Sequence, residues 1–378
     1  MGDVVKRITV LGSTGSIGRQ TLHIVRSFPE EFNVVGLAGW SNVELLREQV
    51  QEFRPKYVWC QGSGAKDVAS ELPGCSVATM EEMACHQDVD LVMVATTGKA
   101  GLTPIIAALR ASKTVALANK EAVVMAGELI TQEASPGQLL PVDSEPSAIW
   151  QCLRGEENDV ANLIITASGG PFRTRPLSEM ASVTPEEALR HPTWQMGKKI
   201  TIDSSTLMNK AFEVIESHWL FNVAWDKINV VVHPQSIVHS LVEFQDGSVK
   251  AQLSPPDMGL PIQYALFHPR RVPNNFRATL NLVEIAALTF ESLEIQRYPC
   301  FNIALDVAHA GGTYPAALSA ADEVAVNMFL QGRLGFLDIP YLVEDVVSQH
   351  SPGSAHSLEE ILNADTWARR RAVELAGN

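Results

Sequence analysis

Cysteine is scarce and scattered in this 378-residue chain: Cys60, Cys75, Cys85, Cys152 and Cys300 are odd in number and form no C-x-x-C pair. That argues against a disulfide frame and a zinc site, and fits small buried thiols in a reducing compartment. Positive charge is also short. The 29 Lys and Arg against 43 Asp and Glu give a net charge of −14, which speaks against a nucleic-acid or membrane partner while leaving room for a local basic pocket. No apolar run approaches membrane-spanning length. The strand pattern that begins at Arg7 leaves no room for a signal or transit peptide before it, so the expected location is cytoplasmic. What remains is 46% hydrophobic and 19% charged, on a chain long enough for two or three domains around a large core.

The first strand pattern, Arg7-Ile8-Thr9-Val10-Leu11, runs into Gly12-Ser13-Thr14-Gly15-Ser16-Ile17-Gly18 and then a helical pattern over 19–27. Glycines at a strand-to-helix turn let the backbone approach a pyrophosphate, and the helix N-terminus offers unpaired N–H groups to it. The spacing is G-x-x-G-x-x-G rather than G-x-G-x-x-G, so its meaning comes from the βα units that follow. Strands are expected at 33–38, 57–60, 89–95 and 114–118, helices at 43–53 and 102–111, and the run into Asp143 closes the sheet. The expectation is an α/β fold whose residues 1–143 form a Rossmann-like doubly wound domain. Where NAD-selective domains carry an acid against the ribose 2′-hydroxyl, this chain has Gly39-Trp40-Ser41-Asn42. No carboxylate is there to repel a 2′-phosphate, so Trp40, Ser41 and Asn42 favour NADPH over NADH; the plainer reading is a helix N-cap.

Pro141-Val142-Asp143-Ser144-Glu145-Pro146-Ser147 follows the last of these strands. On an extended backbone Asp143 and Glu145 project to one face, and two hard oxygen donors suit Mg²⁺ or Mn²⁺; a lone acidic turn is the alternative. Lys120, in Asn119-Lys120-Glu121 at another strand end, is a candidate electrophilic group or a solvated lysine. Downstream, a strand at 163–167 enters Ser168-Gly169-Gly170-Pro171, and Thr184-Pro185-Glu186-Glu187 starts a helix. His191-Pro192-Thr193-Trp194-Gln195-Met196-Gly197 reads as a lid or as core packing of Trp194. Asp203-Ser204-Ser205-Thr206 reads as hydroxyls at a helix start, with Asn209 and Glu213 on one face and Lys210 adjacent. Ser204, Asn209 and Lys210 would cradle a phosphate, and Glu213 would supply a third carboxylate to the metal; the alternative is a surface helix whose polar face meets water. Strands at 228–232, 237–244 and 248–253 follow, the last two a hairpin around Asp246-Gly247, with His233 and His239 read as structural or interface residues.

Residues 144–269 are thus expected to form a central α+β catalytic domain with a mixed sheet. Residues 270–299 read as a linker and 300–378 as a helical bundle, with helices near 303–310, 316–331, 339–349 and 358–374.

In combination, G-S-T-G-S-I-G, L-A-N-K-E, P-V-D-S-E, A-S-G-G-P-F, H-P-x-W-x-M-G and T-I-D-S-S-T-L-M-N-K-x-x-E closely resemble the 1-deoxy-D-xylulose 5-phosphate reductoisomerase family, over nearly the whole chain. The resemblance implies NADPH-dependent rearrangement and reduction of a small phosphorylated sugar in the non-mevalonate isoprenoid pathway. It also implies Asp143, Glu145 and Glu213 as divalent-metal ligands, and Ser144 and Lys120 beside the substrate. Ser168, Ser204, Asn209 and Lys210 become the phosphate site, and His191, Trp194 and Met196 lid residues over the substrate. Thr14, Gly15, Ser16, Ile17, Asn119, Glu121 and Gly197 become NADPH contacts. Trp40 departs from the family's smaller or basic residue. A homodimer formed through the central sheet is implied as well.

Two rival readings leave features without a role. Another NAD(P)-dependent dehydrogenase of a semialdehyde or hydroxy acid explains the first domain but not the three acids or the phosphate cradle. A nucleotide-sensing protein without catalysis would bind NADPH and show no metal-dependent turnover.

Overall fold

The computed structural model describes residues 5–156, 160–273 and 278–377. In chain order its first elements are β1 (Lys6–Leu11), α1 (Ser16–Ser27), β2 (Phe32–Ala38), α2 (Val43–Phe53), β3 (Tyr57–Trp59), α3 (Gly64–Ser70) and β4 (Ser76–Val77). Next come α4 (Met80–Cys85), β5 (Leu91–Val94), α5 (Leu102–Arg110), β6 (Thr114–Leu117), α6 (Lys120–Glu133), β7 (Leu139–Pro141) and α7 (Ser144–Cys152). The middle of the chain supplies β8 (Val160–Ala167), α8 (Pro185–Ala188), α9 (Lys198–Thr206), α10 (Met208–Phe221), β9 (Ile228–Val232), β10 (Val238–Phe244), β11 (Val249–Leu253) and α11 (Gly259–Phe267). The last elements are α12 (Leu282–Ile285), β12 (Glu291–Ser292), α13 (Pro299–Ala310), α14 (Tyr314–Leu330), α15 (Asp338–Ser348) and α16 (Leu358–Ala376).

Two compact units result: Met1–Asn119, Ile130–Ser147 and Met258–Asn275 form one, and Lys120–Leu129, Ala148–Asp257 and Phe276–Asn378 the other. The first unit holds a parallel sheet in the order β4-β3-β2-β1-β5-β6-β7. Its central strands are apolar and buried on both faces, as β5 with all four residues buried illustrates, because helices cover both sides of a doubly wound sheet. Strand order reverses between β1 and β5, the kind of switch point where open α/β sheets bind ligands. The expected Rossmann-like architecture is present. Sequence periodicity missed α3, β4 and α4, which are too short to display it.

Helix α11 lies in the expected central stretch 144–269 yet packs in the first unit. The reason is its apolar composition: Phe267 sits edge-on to Phe28 at 4.8 Å and to Phe32 at 5.0 Å. Lys6 Nζ also donates to the Leu266 carbonyl at 2.5 Å.

The second unit contains the mixed sheet, ordered β11-β10-β8-β9-β12, in which only the β8/β9 pair is parallel. Part of the stretch expected as a linker, 270–299, is structured. Glu291 and Ser292 pair with Val232 and Val231, adding an edge strand that is too short for any periodic signal. Helices α13, α14, α15 and α16 match the expected helical region. They share a core with α10 and β8, in which Phe336 meets Phe172 at 5.3 Å and Phe329 at 5.6 Å. Thr184 closes a capping box with Glu187 ahead of Pro185, the helix start anticipated there.

Two local expectations are corrected. Asp143, Ser144 and Glu145 do not lie on extended backbone: α7 begins at Ser144, with Asp143 Oδ1 accepting the Ser144 N–H at 3.1 Å and Glu145 in the first turn. Ser204, Ser205 and Thr206 end a helix rather than start one, because Lys198 to Thr206 is helical and the break falls at Leu207, which is left-handed at φ 56°.

Phe267→Ala should cost about 3–5 kcal/mol by denaturant unfolding, the range for truncating a buried aromatic. A loss below about 1 kcal/mol would show that α11 is not anchored through this ring.

Candidate functional site

In the first unit the turn between β1 and α1 is closed on its inner side. Gly12 has φ +89°, and a Cβ there would lie 2.3 Å from the Ala95 carbonyl oxygen; one on Gly18 would lie 2.2 Å from the Gly12 oxygen. Only glycine fits both positions, so the backbone wraps tightly and presents its outer face. Helix α1 starts there with Gly15 as a cap lacking a side chain and with no acid in its first turn, leaving its N–H groups suited to an anion. Thr14 and Ile17 are partly buried; Gly15 and Ser16 are exposed. At the end of β2, Trp40 is 51% exposed and its ring lies 5.7 Å from that of Trp59. Ser41 is exposed, and Asn42 caps α2 by accepting the Leu45 N–H at 3.1 Å. Asn119 is fully buried, with its amide nitrogen donating to Thr96 O, Thr96 Oγ1 and Gly98 O at 2.9, 3.1 and 3.0 Å.

Asp143 is 8% exposed at the carboxyl side of β7. The Ser144 hydroxyl donates to Glu145 Oε2 at 2.5 Å, which fixes the rotamer of that carboxylate.

In the second unit a charged cluster forms on α10 and the start of α6. Glu213 is 1% exposed. Its Oε1 accepts from Asn209 Nδ2 at 2.6 Å and from Lys120 Nζ at 3.1 Å, while Oε2 accepts from Lys210 Nζ. Lys120 also donates to Asn209 Oδ1 at 2.6 Å. Four residues singled out in the sequence therefore meet, two of them cations at 5% and 4% exposure.

Ser168 and His191 form a second pair. His191 Nδ1 accepts the backbone N–H groups of Thr193 at 3.2 Å and Trp194 at 2.9 Å, so the proton of the neutral ring sits on Nε2. That Nε2–H donates to Ser168 Oγ at 3.0 Å, and Gly170 N–H donates to the same oxygen at 3.1 Å. With both lone pairs engaged, the Ser168 hydroxyl retains its own hydrogen for a further acceptor. Burial, reinforced by the charge of Lys210, lowers the His191 pKa to about 4 and keeps the ring neutral. Gly170 (φ +68°) runs against the end of α9, where a Cβ would lie 2.7 Å from the Ser204 carbonyl oxygen. Ser205 and Thr206 turn their hydroxyls back onto helix carbonyls, whereas Ser204 Oγ makes no such bond among the described residues.

The remaining loop residues lie nearby in sequence. Trp194 is half-buried, its ring 6.0 Å from that of His239, and the Thr193 and Ser236 hydroxyls are 3.2 Å apart. Met196 is partly buried and Gly197 exposed. His233 and His239 are structural. The former bridges Thr289 O (2.8 Å) and Ile237 N (3.2 Å), and the latter meets Ser254 Oγ at 2.8 Å.

Sequence reasoning missed one charged group altogether. Lys199 Nζ lies 2.5 Å from Asp203, 2.8 Å from Asp322 and 3.8 Å from Glu121. The i,i+4 spacing of Lys199 and Asp203 was readable; the arrival of Asp322 from α14 was not. Burial, then the charge of Asp322, raises the Asp203 pKa well above its ordinary value, and burial likewise raises that of Asp322.

Comparison with known proteins places the chain in one family. The model of 1-deoxy-D-xylulose 5-phosphate reductoisomerase matches residues 8–127, that of its C-terminal domain residues 139–221, and the DXP reductoisomerase C-terminal domain residues 253–371. The chain is 50% identical to the 1-deoxy-D-xylulose 5-phosphate reductoisomerase of Pelotomaculum thermopropionicum over 98% of both chains, and 50% identical to that of Moorella thermoacetica over 99% of both. Among solved structures it resembles the Zymomonas mobilis reductoisomerase in complex with NADPH, with TM-score 0.90 and 38% identity, covering 99% of each chain. A DOX-P reductoisomerase in complex with NADPH, fosmidomycin and magnesium matches with TM-score 0.92 and 34% identity, covering 99% of this chain and 98% of the other.

The His191 ring carries a pH test. Its folded pKa of about 4 lies below the unfolded value of about 6.5, so the unfolded chain takes up the proton first. The stability it contributes is present above pH 6.5 and is lost as pH falls through 4. Urea unfolding at pH 7 and pH 5 should show a larger drop for the parent than for His191→Gln. Equal drops would mean that the ring is not held neutral.

Proposed function

The chain belongs to the 1-deoxy-D-xylulose 5-phosphate reductoisomerase family, and from that premise we propose how its own residues serve the reaction. The enzyme is an NADPH- and divalent-metal-dependent oxidoreductase that rearranges and reduces 1-deoxy-D-xylulose 5-phosphate to 2-C-methyl-D-erythritol 4-phosphate, for non-mevalonate isoprenoid precursors. Residues 1–143 carry the NADPH site, 144–269 the metal, substrate and dimer contacts, and 300–378 the supporting helices, with 270–299 as the connection.

The glycine-lined turn at Gly12–Gly18 fits a dinucleotide, since its outer face is bare backbone. Thr14, Gly15, Ser16 and Ile17 would bind the pyrophosphate there. Trp40, Ser41 and Asn42 would face the adenosine end, where no acid opposes a 2′-phosphate. Asn119, Glu121 and Gly197 complete the proposed NADPH contacts. Asp143, Glu145 and Glu213 would hold the cation; three carboxylates are the hard oxygen donors that Mg²⁺ and Mn²⁺ prefer. When bound, the cation supplies Lewis acidity toward vicinal substrate oxygens and NADPH supplies the hydride.

The observation that carries the phosphate assignment is the Ser168 hydroxyl, which accepts two N–H groups and so turns its hydrogen outward. Ser168, Ser204, Asn209 and Lys210 bind the phosphate, far from the reacting carbons, and its binding energy orients the sugar. His191 holds Ser168 in donor sense, and Ser144 and Glu145 with Lys120 contact the sugar. Trp194 and Met196 close over it and exclude water. A plain dehydrogenase gives these groups nothing to do. The exposed edge strand β11 of the second sheet supports a homodimer through that sheet. No helix among the described residues is long and apolar enough to cross a membrane, and we place the enzyme in the cytoplasm.

The deciding assay follows NADPH oxidation with 1-deoxy-D-xylulose 5-phosphate, with and without Mg²⁺ or Mn²⁺. Turnover should require the sugar phosphate and the metal together, and kcat/KM with NADPH should exceed that with NADH by at least about tenfold. Equal values for the two cofactors would refute the reading of residues 39–42. Glu213→Gln should weaken Mg²⁺ binding by at least about tenfold, about 1.4 kcal/mol, and leave the NADPH Kd near that of the parent. Unchanged turnover at limiting Mg²⁺ would remove Glu213 from the ligand set.

A further inference from the structure

Helix α9 carries Ser204 at one end and follows the 191–197 loop at the other, and its buried face is mostly polar. Thr201, Ile202, Asp203, Ser204, Ser205 and Thr206 are all buried, and Ile202 is the one aliphatic side chain among them. Backbone joints bound the helix on both sides. Gly197 precedes it, where a Cβ would meet nothing within 4 Å, and left-handed Leu207 follows it. Apolar interdigitation therefore does little to fix how α9 is turned about its axis.

The Lys199 cluster supplies that constraint. From the first turn of α9 its ammonium reaches Asp322 on α14 at 2.8 Å and Glu121 at the start of α6 at 3.8 Å, with Phe212 of α10 beneath it at 5.0 Å. Asp203 closes the cluster from the same helix at 2.5 Å. Asp322 is 0% and Asp203 2% exposed, and among the described residues Oδ1 of each has no hydrogen-bond partner. Three carboxylates around one ammonium exceed what charge balance needs. A buried ionic group of this kind is matched in stability by well-packed hydrophobic residues, so stability alone does not account for it. What it does provide is direction: one fixed point ties α9 to α14 and to the helix that begins with Lys120.

We infer that Lys199 is a positioning residue of the enzyme, which through Asp322 and Glu121 sets the rotation of α9 and so the aim of Ser204 at the substrate phosphate. This rests on the assignment of Ser204 to that phosphate.

The single change Lys199→Met leaves buried carboxylates uncompensated and risks unfolding, so the test is the neutral set Lys199→Met/Asp203→Asn/Asp322→Asn, in which only Glu121, the carboxylate farthest from the ammonium at 3.8 Å, keeps its charge. It should fold, by circular dichroism and a cooperative urea transition. KM for 1-deoxy-D-xylulose 5-phosphate should rise about tenfold with kcat within about threefold, while kcat/KM for the unphosphorylated sugar stays unchanged. Asp322→Asn alone keeps an acceptor for Lys199 and should leave KM as in the parent. Ser204→Ala, run in parallel, separates the two ideas. If it spares the phosphorylated substrate, the phosphate assignment fails. If it raises KM while the neutral set does not, Lys199 has no positioning role and the inference is overturned. An equal loss on both sugars by the neutral set overturns it too, because the defect would then not be at the phosphate.

Discussion

A carboxylate with 1% exposure exists in charged form only if its surroundings replace the water it has lost, and Glu213 is such a group. Lys120 and Lys210 supply the charge and Asn209 a neutral donor, each within hydrogen-bond reach. Removing one partner of a buried pair typically costs about 3–5 kcal/mol, so these four side chains hold one another in place. Asn209, Lys210 and Glu213 follow from helical spacing on α10. Lys120 comes from another helix, and its presence couples the start of α6 to α10.

One of these cations, Lys210, acts beyond its direct contacts. The charge of Lys210 adds to burial in disfavouring protonation of His191. A neutral ring with its proton on Nε2 accepts from the loop backbone and donates to Ser168 in one fixed sense. The polarity of the Ser168 hydroxyl is thus decided by a chain of donors and acceptors that begins at the backbone of Thr193 and Trp194. A protonated His191 would lose both backbone contacts, which ties the conformation of the loop to the charge state of the ring.

Much of this was legible in the chain. Alternating βα patterns announced the parallel sheet, because strands buried on both faces must be apolar along their whole length. Lys120, Asp143, Glu145, Ser168, His191, Asn209 and Glu213 stand out as candidates because each stands next to a turn or a strand end, or at helical spacing from another polar residue. The backbone under Glu145 and Ser204 was misread. The helix start at Ser144 and the helical run from Lys198 to Thr206 are local choices that a short polar stretch leaves open.

By itself the sequence determined the doubly wound first unit, the family, and the residue types that carry charge and hydroxyls to the site. Those follow from local periodicity and from motifs whose order survives without coordinates. Tertiary structure alone decided that α11 joins the first unit, that a strand within 270–299 completes the second sheet, and that Asp322 meets Lys199. Each of these joins residues far apart in the chain, and the energy that selects them lies in packing and charge pairing that no local window contains.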